Sequence, residues 1–257
     1  MLPTLLGLQV PLAAYQTPRG PAGFPRPADL RIAAGEQAHT MLRPLDALSR
    51  FEGVLRTDSA NYDALWRASR EAVDLGMLAT RRDVEARWYG RAERYGRRAV
   101  RLRPAGVEGL EWLAITLGRE ALDEGPRQKV RLALEIRGLA LKTLVLDPRS
   151  AAAHHILGMW NAEVRRLSGI TRWTARKFLR AEVFREASWA EAERHLRAAV
   201  RLDPGGLIHH LDLAEVYLDL HRPEEARREL REVLERPAVE PTDPLLKERA
   251  RDLLAAR

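Results

Sequence analysis

Seven histidines and no cysteine bound the chemistry open to this 257-residue chain. Without thiols there are no disulfides, thiol nucleophiles, zinc–thiolate centres or iron–sulfur clusters. The histidines that cluster are His154-His155 and His209-His210, at corresponding points of two similar stretches, with His195 between them. Neutral imidazoles from neighbouring helices bind zinc or copper when they converge. Adjacent residues on a helix point about 100° apart, so each pair offers one ligand to any one centre. Packing in a seam between helices is therefore the expected role; no metal site and no cofactor are assigned. Glu163 is expected to pair with a nearby arginine rather than act as a general base. The sequence carries no serine–histidine–acid spacing, phosphate-cradling glycine loop, HExxH or paired-carboxylate motif. A non-catalytic protein is the expectation.

Charge and aromatic content point the same way. The formal charge is +7, yet only four of the 43 cations are lysines, a skew that resembles GC-rich coding bias more than selection for phosphate contact. Two stretches hold the surplus. Residues 81–101 carry eight arginines against Asp83, Glu85 and Glu93, and residues 165–185 carry seven cations against Glu182 alone. No nucleic-acid partner is expected. Of the six tryptophans, Trp66, Trp88, Trp112, Trp160 and Trp189 fall at helical spacings that suit a core. Trp173 differs, lying among Arg172, Arg176 and Lys177 with Phe178 and Phe184 nearby. Such an apolar and cationic stretch suits an anionic lipid surface or a lipid-lined groove; the competing reading is a helix extension with a solvated arginine face.

Residues 2–14 are apolar and are followed by a Pro/Gly-rich run over 17–27. The pair Ala13-Ala14 suits a secretory cleavage site, although no Lys or Arg precedes Arg19. The expectation is an exported, periplasmic or cell-envelope protein, with a cytoplasmic one as the alternative. No stretch reaches the roughly 18 apolar residues of a membrane-spanning helix.

The elements that would position these residues are helices. Strand alternation is almost absent, while Ala, Leu, Arg and Glu dominate a helical periodicity. Three segments end alike: Ala99-Val100-Arg101-Leu102-Arg103-Pro104, Leu144-Val145-Leu146-Asp147-Pro148 and Ala199-Val200-Arg201-Leu202-Asp203-Pro204. Proline cannot continue the preceding helix but helps open the next. Gly35, then Ala47, then Phe51 place a helix-crossing glycine, a small residue and a space-filling aromatic at the spacings of two antiparallel helices. His154-x2-Leu157-Gly158-x2-Asn161 with Ala192-x3-Leu196, and Leu213-Ala214-x2-Tyr217 with Ala226-x3-Leu230, repeat that pattern.

These residues resemble the tetratricopeptide repeat, a helix–turn–helix unit of about 34 residues. The predicted fold is all-α, a superhelix of five helix pairs over about 28–61, 62–104, 105–148, 149–204 and 205–238, with a capping helix at 243–255. Pro104, Pro148 and Pro204 stand 44 and 56 residues apart, so units three and four are enlarged, by about 10 and about 22 residues over the standard repeat. Unit two is likewise longer, between Gly76 and Ala92. Most of the excess in unit four is the basic segment 168–188.

A narrower resemblance lies across roughly Ala151 to Ala226. His154-His155-x-Leu157-Gly158-Met159-Trp160-x2-Glu163-Val164-x2-Leu167-Ser168, then Arg176-Lys177, Val183-Phe184 and Trp189-x-Glu191-Ala192 resemble the regulator of microtubule dynamics family. Val183-Phe184-Arg185 stands where that family often has a proline-containing turn. The resemblance implies a tetratricopeptide protein, related to eukaryotic members linked to microtubules and to lipid-handling organelle contacts.

Stacked helix pairs build a concave groove, and the expected function is an adaptor or scaffold holding a protein or peptide segment there. His154, Asn161, Asp212 and Tyr217 are expected near the groove, with Arg165 and Arg166 at a basic edge suited to an acidic partner. The alternative is a lipid or apolar small-molecule protein, with Trp173, Arg176, Lys177, Phe178 and Phe184 as contacts.

Overall fold

A computed structural model of the chain describes residues 26–122, 124–167 and 182–256. The expected signal and the linker up to residue 25, and the candidate lipid contacts Trp173, Arg176, Lys177 and Phe178, lie outside the described residues; the linker's expected last residue, Pro27, instead begins the first helix. Among those residues there are eleven α-helices and no strand. The first two pairs are α1 (Pro27–Thr40) with α2 (Pro44–Thr57) and α3 (Tyr62–Met77) with α4 (Arg82–Leu102). The third is α5 (Val107–Glu120) with α6 (Pro126–Leu146). Next come α7 (Ala151–Arg166) with α8 (Trp189–Leu202), then α9 (Leu207–Asp219) with α10 (Pro223–Glu235). Helix α11 (Asp243–Ala255) packs on α10 and α9 and caps the stack. None of the described helices is long and apolar enough to cross a membrane.

Helix starts follow local chemistry. Asn61, Ser150 and Ser188 each accept the backbone N–H three residues on, satisfying a donor the first turn leaves open. Proline opens α1, α2, α6 and α10, where its missing N–H costs nothing. In the first and last pairs the turn between helices is the same device. Leu42 and His221 adopt left-handed backbone, with φ of 57° and 56°. Arg43 and Arg222 then donate their N–H groups back to Ala38 and Tyr217, and proline begins the second helix.

Within each pair the crossing is close where small residues allow it. A methyl on Gly35 would land inside the Phe51 ring, and one on Gly158 would stand 2.6 Å from Leu196 Cγ. These are the glycine and partner positions of units one and four. In unit two Ser69 takes that place and donates its hydroxyl to the Ala92 carbonyl. Leu48, Phe51, Leu65, Leu117, Leu196, Leu213 and Leu230 are fully buried along the resulting seam.

The extra residues of units two and three are helical. Helices α4 and α6 run 21 residues each, against 14 for α2 and α8, so each second helix begins about two turns early. The added turn of α6 is covered from unit four. Phe184, in a 3-10 turn at Glu182–Arg185, meets Trp160 edge-on with ring centroids 5.8 Å apart. Val130, Val164 and Ala187 complete that cluster, and the Trp160 indole donates to the Ala133 carbonyl at 2.8 Å. Phe184 is thus 4% exposed, a core residue instead of the expected lipid contact.

Candidate functional site

Consecutive first helices lie against one another, α1 by α3, α3 by α5, α5 by α7 and α7 by α9, while consecutive second helices make at most marginal contact among the described residues. First helices therefore line the tight, inner side of the spiral. Side chains there bridge the repeats. Arg67 and Arg70 of α3 both reach Glu36 of α1, at 2.6 and 2.9 Å. Tyr62 donates to Glu108 at the start of α5, and Ser150 to Glu111. His155 Nε2 lies 3.2 Å from Asp212, and Arg166 binds Asp219 at 2.7 Å as well as Glu163 at 2.5 Å. Burial pushes the Glu111 carboxyl up, and at Glu215 burial and neighbouring Asp212 do the same.

The sequence-expected groove residues divide. Arg166 and Asp212 bridge α7 and α9 on this inner side, and Arg165 is half-buried beside them. Arg166 already faces three carboxylates of the chain, Glu163, Glu215 and Asp219, so an acidic partner would have to displace one of them. Asn161 and Tyr217 are core residues, 6% and 5% exposed. Asn161 donates to the Leu157 carbonyl and accepts the Ser188 N–H, tying α7 to the start of α8. Tyr217 packs in the last core cluster with the Arg222 guanidinium 4.6 Å above its ring. His154 turns toward its own second helix.

The clustered histidines pair with one another. His154 Nδ1 and His195 Nδ1 lie 2.9 Å apart, and His155 Nδ1 and His209 Nδ1 3.0 Å. Such a contact needs one nitrogen protonated and the other bare, which favours neutral rings. Burial, then Arg194 and His154, lower His195 to about 4; burial likewise lowers His154 and His209. Continuing outward, Asp212 holds His155 and Asp203 holds His209, a polar chain joining units four and five.

A second histidine site was not legible in the sequence. His39, at the end of α1, is 6% exposed. Its Nδ1 lies 3.0 Å from Glu71 of α3, which is fully buried, and its Nε2 lies 3.1 Å from Glu240 in the linker between α10 and α11. Burial works to lower His39, but hydrogen bonds to Glu240 and Glu71 outweigh it and raise it to about 9. Asp74, one turn beyond Glu71, is pushed up to about 8, mainly by burial and then by Glu71 and Glu240. Its Oδ2 is buried with no hydrogen-bond partner. The Glu71-x2-Asp74 spacing marks one helix face, but nothing in the sequence points to Glu240.

Comparison with known proteins identifies this architecture. The family described as Regulator of microtubule dynamics protein 1-3 matches residues 32–257. Regulator of microtubule dynamics protein 1 of Bos taurus is 25% identical over 199 residues, 77% of this chain and 62% of that protein. Regulator of microtubule dynamics protein 3 of Bos taurus is 23% identical over 185 residues, 72% of this chain and 39% of that protein. The chain thus spans less than two thirds of the length of these curated relatives. Among solved structures, TTC0263, a thermophilic TPR protein of Thermus thermophilus, superposes with a TM-score of 0.64 at 20% identity, covering 89% of this chain and 99% of that one. With its tandem helix pairs and a match running through nearly all described residues, the chain belongs to the regulator of microtubule dynamics family.

Proposed function

We propose that the protein is a non-catalytic scaffold that holds an extended or helical peptide segment of a partner protein against the inner faces of α1, α3, α5, α7 and α9. The observation that carries this reading is the side-by-side arrangement of first helices, which leaves a continuous concave surface across all five pairs. Groups on that surface are polar and already engaged between repeats, so a ligand is recognised by exchanging hydrogen bonds along a fixed frame. A Cβ placed on Gly118 of α5 meets no atom within 4 Å, and Ile115, one turn earlier, is only partly buried.

The test uses a photo-crosslinking residue at Ile115 in the full chain, with Gly118→Trp as the blocking variant. A polypeptide cross-linked from position 115 and lost in Gly118→Trp is the expected result. Near-stoichiometric phospholipid recovered from the purified protein, with no polypeptide cross-linked at 115, would replace this reading with a lipid carrier.

A further inference from the structure

His39 and Asp74 belong to the first two pairs, whereas Glu240 comes from the far end of the chain. We propose that these three residues bind one divalent cation of the zinc class, which latches the α10–α11 linker onto the first two helix pairs.

The donor set is the first reason. One ligand atom from each of the three residues lies within 4.8 Å of the others. An imidazole nitrogen with two carboxylate oxygens suits zinc or a similar first-row ion, whereas calcium and magnesium favour oxygen-only sites. Two ligands at zinc bond lengths and a tetrahedral angle stand about 3.3 Å apart; His39 Nε2 and Glu240 Oε2 stand 3.1 Å apart. With three protein ligands, the fourth position of such an ion falls to water.

The surroundings are the second reason. Glu71 accepts from His39 Nδ1, which orients the ring and leaves Nε2 as the ligand nitrogen once the ion displaces its proton to solvent, the carboxylate–histidine–metal arrangement of zinc proteins. Arg70, the nearby cation, is held by Glu36 and Glu71. Asp74 is 6% exposed, and its buried Oδ2 lacks any hydrogen-bond donor. Leaving a buried carboxylate oxygen unpartnered is costly, and a cation supplies the missing partner.

The third reason is that Glu240 is presented on a fixed turn. Asp243, 3% exposed, accepts the backbone N–H groups of both Val239 and Glu240 at 2.8 Å through one oxygen. Lys247 donates to the carbonyls of Leu234 and Arg236, anchoring the start of the linker. A ligand held by such outer contacts is organised before the ion arrives. The site does not depend on what the groove holds.

The experiment titrates Zn2+ alone into the EDTA-treated full chain by calorimetry, with Ca2+ and Mg2+ as comparators, and follows hydrogen exchange of residues 236–242. One Zn2+ per chain is expected, with slower exchange in the linker and no comparable response to Ca2+ or Mg2+. Glu240 is half-exposed, so Glu240→Gln should fold normally while losing at least the tenfold to roughly hundredfold in affinity that even outer-shell changes cost. Asp74→Asn should weaken binding similarly. Absence of Zn2+ binding overturns the proposal. So does binding that either variant leaves unchanged, which would move the ion to another site.

Discussion

His195 and His39 are equally buried, at 7% and 6% exposure, yet their environments drive them to opposite charge states. Burial lowers both. At His195 the neighbours are another imidazole and Arg194, with Glu191 3.8 Å away too weak to offset burial, and the ring stays neutral to about 4. At His39 the neighbours are Glu71 and Glu240, and the ring stays protonated to about 9. The difference teaches how the two ends of the stack are built. Units four and five are joined by the His155–His209 pair, with His154 and His195 paired inside unit four; between units one and two, Glu71 and Asp74 crowd one imidazole that Glu240 also reaches. In one place the histidines complete the packing. In the other, a histidine and its acids recruit the opposite end of the chain.

The contrast breaks most severely at Glu71. Glu71→Ala strips a fully buried carboxylate from both His39 and Arg70, and should cost about 3–5 kcal/mol of stability by urea unfolding, as breaking a buried ion pair does. A loss under about 1 kcal/mol would mean that the two cations do not rely on it.

The pH dependence of EDTA-treated protein sharpens the comparison. An unfolded histidine titrates near 6.5. Below that the unfolded chain takes a proton that native His195 refuses, so its contribution is full above about 6.5 and is lost as pH falls toward about 4. For His39 the sign reverses. Its contribution is full below about 6.5 and lost as pH rises through about 9, with Asp74, protonated up to about 8, acting in the same direction. Each group changes the slope of stability by at most about 1.4 kcal/mol per pH unit. His195→Gln should therefore flatten the acid limb and His39→Gln the alkaline limb. Equal effects of the two variants on one limb would erase the distinction.

Smaller effects follow within each region. His195→Leu leaves His154 Nδ1 without its partner and should cost about 1–3 kcal/mol, while the double change His154→Leu/His195→Leu should recover part of that loss. A double variant less stable than the sum of the singles would show that the pair is not a closed unit. Least of all, Glu240→Gln in metal-free protein should cost no more than about 1 kcal/mol, because the Glu240 side chain is half in solvent.

Much of this fold is legible along the chain because its packing is local. Gly35, Ala47 and Phe51 lie within one helix pair, and the glycine and aromatic meet as their spacing implies. Pro104, Pro148 and Pro204 mark turns for the same reason. The excess residues of units two and three are countable from the sequence, but their placement as early turns of α4 and α6 depends on what covers them. Phe184 illustrates this: its neighbours in sequence are basic, while its neighbours in space are Trp160 and Val130. Asn161 and Tyr217 occupy regular repeat positions, yet their burial is set by the start of α8 and by Arg222. The His39–Glu240 contact is the extreme case. It depends on the accumulated twist of five pairs, which no local pattern encodes.

The most direct test of the central claim, that the α10–α11 linker returns to the end of α1, is a distance measurement between them. Because the chain has no cysteine, Thr40→Cys and Val239→Cys provide the only two spin-label sites; both residues are exposed and flank His39 and Glu240 in sequence. A single narrow distribution at the short end of the measurable range is predicted, tightening on addition of Zn2+. A broad distribution centred at long distance, unmoved by the ion, would contradict it.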